Sequence, residues 1–187
     1  TDEDGLAEWV QVFCFIIGLL FSLAIARQLS QDRRGYLALL YLLVGFGLFF
    51  ISGEELAWGQ RIFNFTTPED LAVINEKSEV SVHNISSIAP WFTVGKLVAG
   101  IYGVAGCWVL FWLRRRREVS ILEPFVVPFF LSSTFLIVFI QRILRLTILR
   151  DIVPLGYSEI EETFLAYGVA AFIVLLWRRL RLQQGLS

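Results

Sequence analysis

Glu54 and Glu55, His83 with Asn84 beside it, and Glu162 are the residues of this chain whose types could do chemistry. An imidazole with two or three carboxylates can hold a metal ion or pass protons to and from a bound group. The set expected to catalyse is Glu54, Glu55, His83 and Glu162. The set expected to ligate a divalent metal ion is Glu55, His83 and Glu162, and no other cofactor is expected. The signal is unspecific, because neither an HExxH helix nor a CxxC pair occurs in the sequence. A single loop histidine is more often a hydrogen-bonding residue, so a structural role stands beside the chemical one.

These residues lie among long apolar stretches. Of 187 residues, 56% are hydrophobic and 18% charged, against roughly 25% charged in a soluble domain. A spanning helix needs about 20 mostly apolar residues. Five stretches approach that length, at about residues 6–26, 35–53, 91–113, 121–141 and 159–177. Helices that are apolar all round, one after another, point to lipid as their solvent. Strand-like alternation is absent. The expected fold is therefore an all-α integral membrane protein. It is a single transmembrane domain over 1–187, a bundle of about five transmembrane helices, with an outer loop over 54–90. The lipid bilayer is the expected partner, with other membrane protein subunits. The net charge of -1 gives no reason to expect nucleic acid.

Arginines set the orientation. Arg27, Arg33 and Arg34 follow the first span, Arg114 to Arg117 the third, and Arg178, Arg179 and Arg181 the fifth. With five spans these clusters share one side, expected to be cytoplasmic, with the amino end and loop 54–90 outside. Arg142, Arg145 and Arg150 then fall on the outer side, where they read as an amphipathic continuation of the fourth span. The opening Thr-Asp-Glu-Asp-Gly is acidic, unlike the basic start of a signal peptide. Cys14 and Cys107 sit in apolar runs and read as small buried residues. Gly100, Gly103 and Gly106 give the third span a face that a neighbouring helix can approach closely. Pro128 is placed to kink the fourth span.

Span lengths bear on the acids. The uncharged run 35–53 is about 28 Å long as a helix, which barely crosses a hydrocarbon core of about 30 Å. Glu54 and Glu55 should therefore sit at the boundary, as a water-exposed helix end or as a pair turned into the bundle with raised affinity for protons. The uncharged part of the fifth span is about 22 Å long, which draws Glu162, with Glu161 or Glu159 as alternatives, below the outer surface. The natural partners of a carboxylate buried there are Arg142 and Arg145. Glu161 with Ser158 has capping-box spacing. In the loop, Thr67-Pro68-Glu69-Asp70 is a helix-start signal for a short interfacial helix over Leu71–Asn75, with an extended stretch over 76–82. Arg61 is expected to reach Glu54 or Glu55 if the chain turns after Gly59. Two sequons, at Asn64 and Asn84, read as chance matches.

The series Glu54, Glu55, Trp58-Gly59-Gln60-Arg61, Thr67-Pro68 and His83-Asn84 resembles a group of uncharacterised bacterial polytopic membrane proteins. The resemblance covers about a fifth of the chain and implies bacterial origin and a membrane location, without any assigned activity; the inner membrane is the expected place. Intramembrane CAAX-type proteases also use a Glu-Glu pair. Here the following arginine comes too late, at Arg61, and the histidine is outside the spans, which argues against that membership.

Three functions fit these residues. The first is an accessory or structural subunit of a larger membrane complex, with Trp58, Arg61, Asn84, Arg142 and Arg145 in binding or structural roles. The second is a membrane-embedded enzyme acting at the outer leaflet by metal or acid–base chemistry. The third is a small carrier or ion-binding protein that uses the buried acids as relays.

Overall fold

The structure, a computed structural model, describes residues 4–75, 78–115, 126–146 and 157–184. Glu76, Arg116, Arg117, Arg150 and the start of the fourth expected span at 121–125 lie outside the described residues, as do the side chains of Arg114, Arg145 and Ser158. The elements, in order, are α1 (Asp4–Gln31), α2 (Gly35–Glu55), a 3-10 turn (Ala57–Gly59), α3 (Gln60–Phe63), α4 (Glu69–Ile74), α5 (Ala89–Arg115), a second 3-10 turn (Phe129–Leu131), α6 (Ser132–Leu146) and α7 (Tyr157–Gln184). Among the described residues the fold is all-helical, and its β pairing is one isolated antiparallel bridge between Asn75 and Ile85.

Among the described residues three helices are long and apolar enough to cross a membrane: Gly5–Gln31, Gly35–Glu55 and Glu159–Leu182. The third expected span appears as α5, which at 27 residues has the length. The fourth differs. Its helix starts at Ser132, not near 121, and has 15 residues. Pro128 is extended, with φ -69° and ψ 151°, and precedes the helix rather than kinking it. A proline inside the helix would remove a backbone donor and clash with the previous turn, so the helix forms after it.

α1 ends in a left-handed residue, Arg33 at φ 57°, and the Arg34 amide donates back to the Leu29 carbonyl at 2.9 Å. That closure reverses the chain into α2 within three residues and serves in place of the usual glycine. α1 and α2 pack antiparallel, with Gly45 against Leu19, Ser22 and Leu23. α7 runs parallel to α1, so that Phe21 meets Trp177 edge-on at 5.1 Å. α6 packs antiparallel to both α5 and α7, with Gly103 and Gly168 facing Phe135. A side chain at Gly103 would overlap that ring, which gives the small-residue face of α5 its reason.

The core forms two clusters. One joins Phe15, Ile25 and Leu29 of α1 to Tyr41 and Leu48 of α2 and Ile173 and Leu176 of α7; the other joins Leu131 and Phe135 to Phe172. The outward faces stay apolar: Phe13 and Leu20 of α1, Leu43 and Phe46 of α2, and Trp108 and Phe111 of α5 are exposed. A protein surrounded by water rarely shows apolar surface on this scale. The helix pairing brings the starts of α1, α5 and α7 and the ends of α2 and α6 to one end of the bundle, under residues 56–75 and 78–88. Arg27, Arg178 and Arg181 belong to the opposite end.

Candidate functional site

Glu54 is the penultimate residue of α2, and its side chain turns inward instead of to water, at 2% exposure. The turn that follows explains how. Ala57, Trp58 and Gly59 are all left-handed, with φ of 46°, 50° and 93°. Each non-glycine residue held there costs about 1–2 kcal/mol. The coil so formed folds the Trp58 ring back onto Gly53, Phe49 and Phe50. Trp58 Nε1 then donates to Glu54 Oε1 at 2.5 Å. The other carboxylate oxygen, Oε2, accepts the backbone N–H of Val82 at 2.6 Å and of His83 at 2.8 Å. His83 Nδ1 lies 3.1 Å from the same oxygen. Glu54 thus ties the end of α2 to the loop in front of α5, with nearly all of its acceptor positions filled.

The loop holds itself in place in the same manner. Gln60 bridges two segments of it, donating to Thr67 Oγ1 at 2.8 Å and accepting the Val80 amide at 2.8 Å. Thr67 donates in turn to the Ser78 carbonyl at 2.6 Å. Asn75, buried, donates to the Ser81 carbonyl at 2.7 Å, and Asn84 donates to Ser81 Oγ at 2.9 Å. The interfacial helix is α4, over Glu69–Ile74, with Pro68 at its cap position, so Thr67 is a loop brace and not a cap. Residues 78–80 bend rather than extend.

Arg61 does not reach Glu54 or Glu55. It pairs with Glu8 at the start of α1 and with Glu79 at 3.1 Å. Glu54 is engaged by donors with shorter reach, and α3 carries Arg61 toward α1. The turn after Gly59 that would bring Arg61 near does form, but it points the chain at a different acid.

The acids of α7 divide their partners. Arg142 of α6 donates from Nε to Glu161 Oε1 at 2.6 Å, with both side chains buried. Glu161 is therefore an interior ion-pair member and not a cap residue, and α7 has already begun at Tyr157. Glu162 pairs with Lys96 of α5, not with Arg142. One helical position separates Glu161 from Glu162, so the two carboxylates face different neighbours. Gln11 of α1 completes this end, donating to Thr163 Oγ1 at 3.2 Å.

A cavity of about 440 Å³ opens at the polar end between α1, α2, α5 and α7. Glu54, Glu55, His83, Lys96 and Glu162 all line it, with Phe15, Leu48 and Val169 among its apolar walls. The four residues expected to catalyse are thereby brought to one place. Comparison with known protein families, with curated proteins and with solved structures finds no match.

The residues of the expected metal set share the cavity without forming a ligand cluster. Among the described residues no group of three or more His, Cys, Asp and Glu side chains is placed to hold a metal ion. Glu162 faces Lys96, and His83 Nδ1 faces Glu54. What the arrangement can do is move protons. For Nδ1 to meet a carboxylate oxygen it must carry the proton, which leaves Nε2 as the bare nitrogen of a neutral ring. Burial lowers the His83 pKa below 6.5, against the opposing pull of Glu54, so the ring is neutral at pH 7. Phe92 shields one side, its ring centroid 5.8 Å from that of the imidazole. Lys96 is the member that sequence reasoning missed as a site residue. Its signal was present, a lone cation in the first turns of an apolar helix, which needs a buried acid.

Proposed function

We propose that this chain is a polytopic protein of the bacterial inner membrane whose outer-face cavity carries out acid–base chemistry. In this reading loop 54–90 and the amino end lie outside, and the arginine-rich ends lie in the cytosol. His83 Nε2 takes a proton from a group bound in the cavity. Glu54 fixes the tautomer and orientation of the ring and stabilises the imidazolium that forms. Lys96 and Glu162 supply charge of either sign beside the reacting group. The single observation behind this reading is the Glu54–His83 contact at 3.1 Å on the wall of a cavity that also holds Lys96 and Glu162.

The accessory-subunit reading takes second place. The loop residues that would anchor a partner, Trp58, Arg61 and Asn84, are engaged within the chain. His83 is the one histidine in the sequence, so imidazole nitrogen NMR tests the first reading directly. The expected result is an Nδ1–H tautomer that titrates below pH 6.5 and loses its tautomer preference in Glu54→Gln. An Nε2–H tautomer in the unaltered chain overturns the reading. Co-purification of a stoichiometric partner that depends on Trp58 and Arg61 would restore the accessory role.

A further inference from the structure

The extensive helix packings are α1 on α2, α1 on α7, α7 on α6 and α6 on α5. Among the described residues α2 and α5 are thus the two edges of an incomplete ring, and the cavity lies between them. The polar groups gather at one end of it. Deeper in, the walls are Leu48 and Ile51 of α2, Ala99 of α5, and Leu165 and Val169 of α7. Val169 is seven residues beyond Glu162, or about 10 Å along the helix. A water-soluble substrate has no use for such an apolar shaft, whereas a chain attached to a polar head fills both parts. The head is constrained by charge. Among the described residues Lys96 is the cation of the cavity wall, and it is already paired with Glu162. A phosphate would have to displace Glu162 from Lys96. A hydroxyl can donate to a carboxylate, accept from Lys96 and surrender its proton to an imidazole.

We infer that the cavity binds an amphiphile with an apolar chain and an uncharged, hydroxyl-bearing headgroup, admitted sideways between α2 and α5. The inference rests on the membrane placement in the reading above and names the class of substrate for the same site. The chain lies along Leu48, Ala99 and Val169, and the head reaches His83 and Glu162.

Gly95 supplies the test. It lines the cavity, and a Cβ built on it meets nothing within 4 Å, so Gly95→Leu adds bulk at the cavity wall. The exchange also favours the helix. Gly47 of α2 has the same open space and does not line the cavity, which makes Gly47→Leu the control. The full chain in phosphatidylcholine nanodiscs is irradiated with monooleoylglycerol carrying a diazirine in its acyl chain, and labelled peptides are identified by mass spectrometry. Label is expected on α2, α5 and α7 at the cavity. Gly95→Leu should lower it about tenfold or more, and Gly47→Leu should leave it unchanged. Unlabelled monooleoylglycerol should compete, whereas glycerol and oleoyl lysophosphatidic acid should not. Label spread over the outward faces of α1 and α2 and indifferent to Gly95→Leu overturns the inference. Equal competition by the phosphate lipid overturns the headgroup class, and competition by glycerol overturns the need for a chain. The His83 titration is read separately. Its failure with label still in the cavity removes the acid–base reading and leaves the amphiphile site standing.

Discussion

Replacing Glu54 by Gln changes one atom and should loosen the whole outer loop. The carboxylate accepts from Trp58 Nε1, from the amides of Val82 and His83, and from the His83 ring. A glutamine keeps a single acceptor oxygen. If that oxygen stays with the two backbone amides, the new –NH2 group confronts the indole N–H, donor against donor. An unpaired buried donor costs about 1–3 kcal/mol, and each of the two retained bonds loses about 1 kcal/mol when its acceptor is no longer charged. The sum, about 3–5 kcal/mol, is a large share of a typical folding free energy of about 5–15 kcal/mol. For a chain of this size it corresponds to a fall in Tm of about 6–20 °C. The loss should be local first. Hydrogen exchange in detergent should accelerate at Val82 and His83 while amides in the middle of α1 and α7 keep their protection. An unchanged Tm together with unchanged protection at Val82 and His83 would refute the reasoning, because the loop would then not depend on the Glu54 carboxylate.

Trp58→Phe removes only the indole donor and should cost about 1–3 kcal/mol by leaving Oε1 unmatched, read as a smaller Tm shift than that of Glu54→Gln. Arg142→Leu strands Glu161 in the interior and should cost about 3–5 kcal/mol, whereas Arg142→Leu with Glu161→Leu should recover most of it; equal losses in the two variants would contradict a buried pair. Gly103→Val drives a side chain into the Phe135 ring and should cost about 1–3 kcal/mol, and engineered cysteine pairs between α5 and α6 should be the first to stop cross-linking. His83 binds its proton less readily folded than unfolded, so its contribution to stability is constant above pH 6.5 and declines as pH falls from 6.5 through the lower folded value. Chemical denaturation at pH 7.5 and pH 5.5 should show that decline, and His83→Gln should abolish it.

The long helices α1, α2, α5 and α7 were legible because apolar length is a property of local sequence. Gathering Glu54, Glu55, His83 and Glu162 at one end was legible too, since helices that alternate in direction bring those segments to one side. The choice among partners was not. Arg61 and Arg142 each had several acids within sequence reach, and which one each meets depends on helix rotation and on a left-handed turn. Ala57 and Trp58 give no sign of that turn, because neither residue type favours positive φ. Pro128 suggests a kink by its place in an apolar run, yet it precedes the helix, a distinction that rests on where the α5–α6 packing begins. Lys96 was visible and unassigned, since its partner lies 66 positions away.

The parallel packing of α1 with α7 has a consequence for how the molecule is made. The inner face of the first helix, Phe15, Ile25 and Leu29, is covered by Ile173, Leu176 and Leu180 of the last, and Gln11 bonds to a residue 152 positions later. At about 5–20 residues per second of synthesis, the first hairpin waits many seconds with that face open. Final assembly therefore waits until α7 has been synthesised. A nascent chain halted before Tyr157 should keep that face open and be held by chaperones or cleared by proteases, however well its earlier helices have formed.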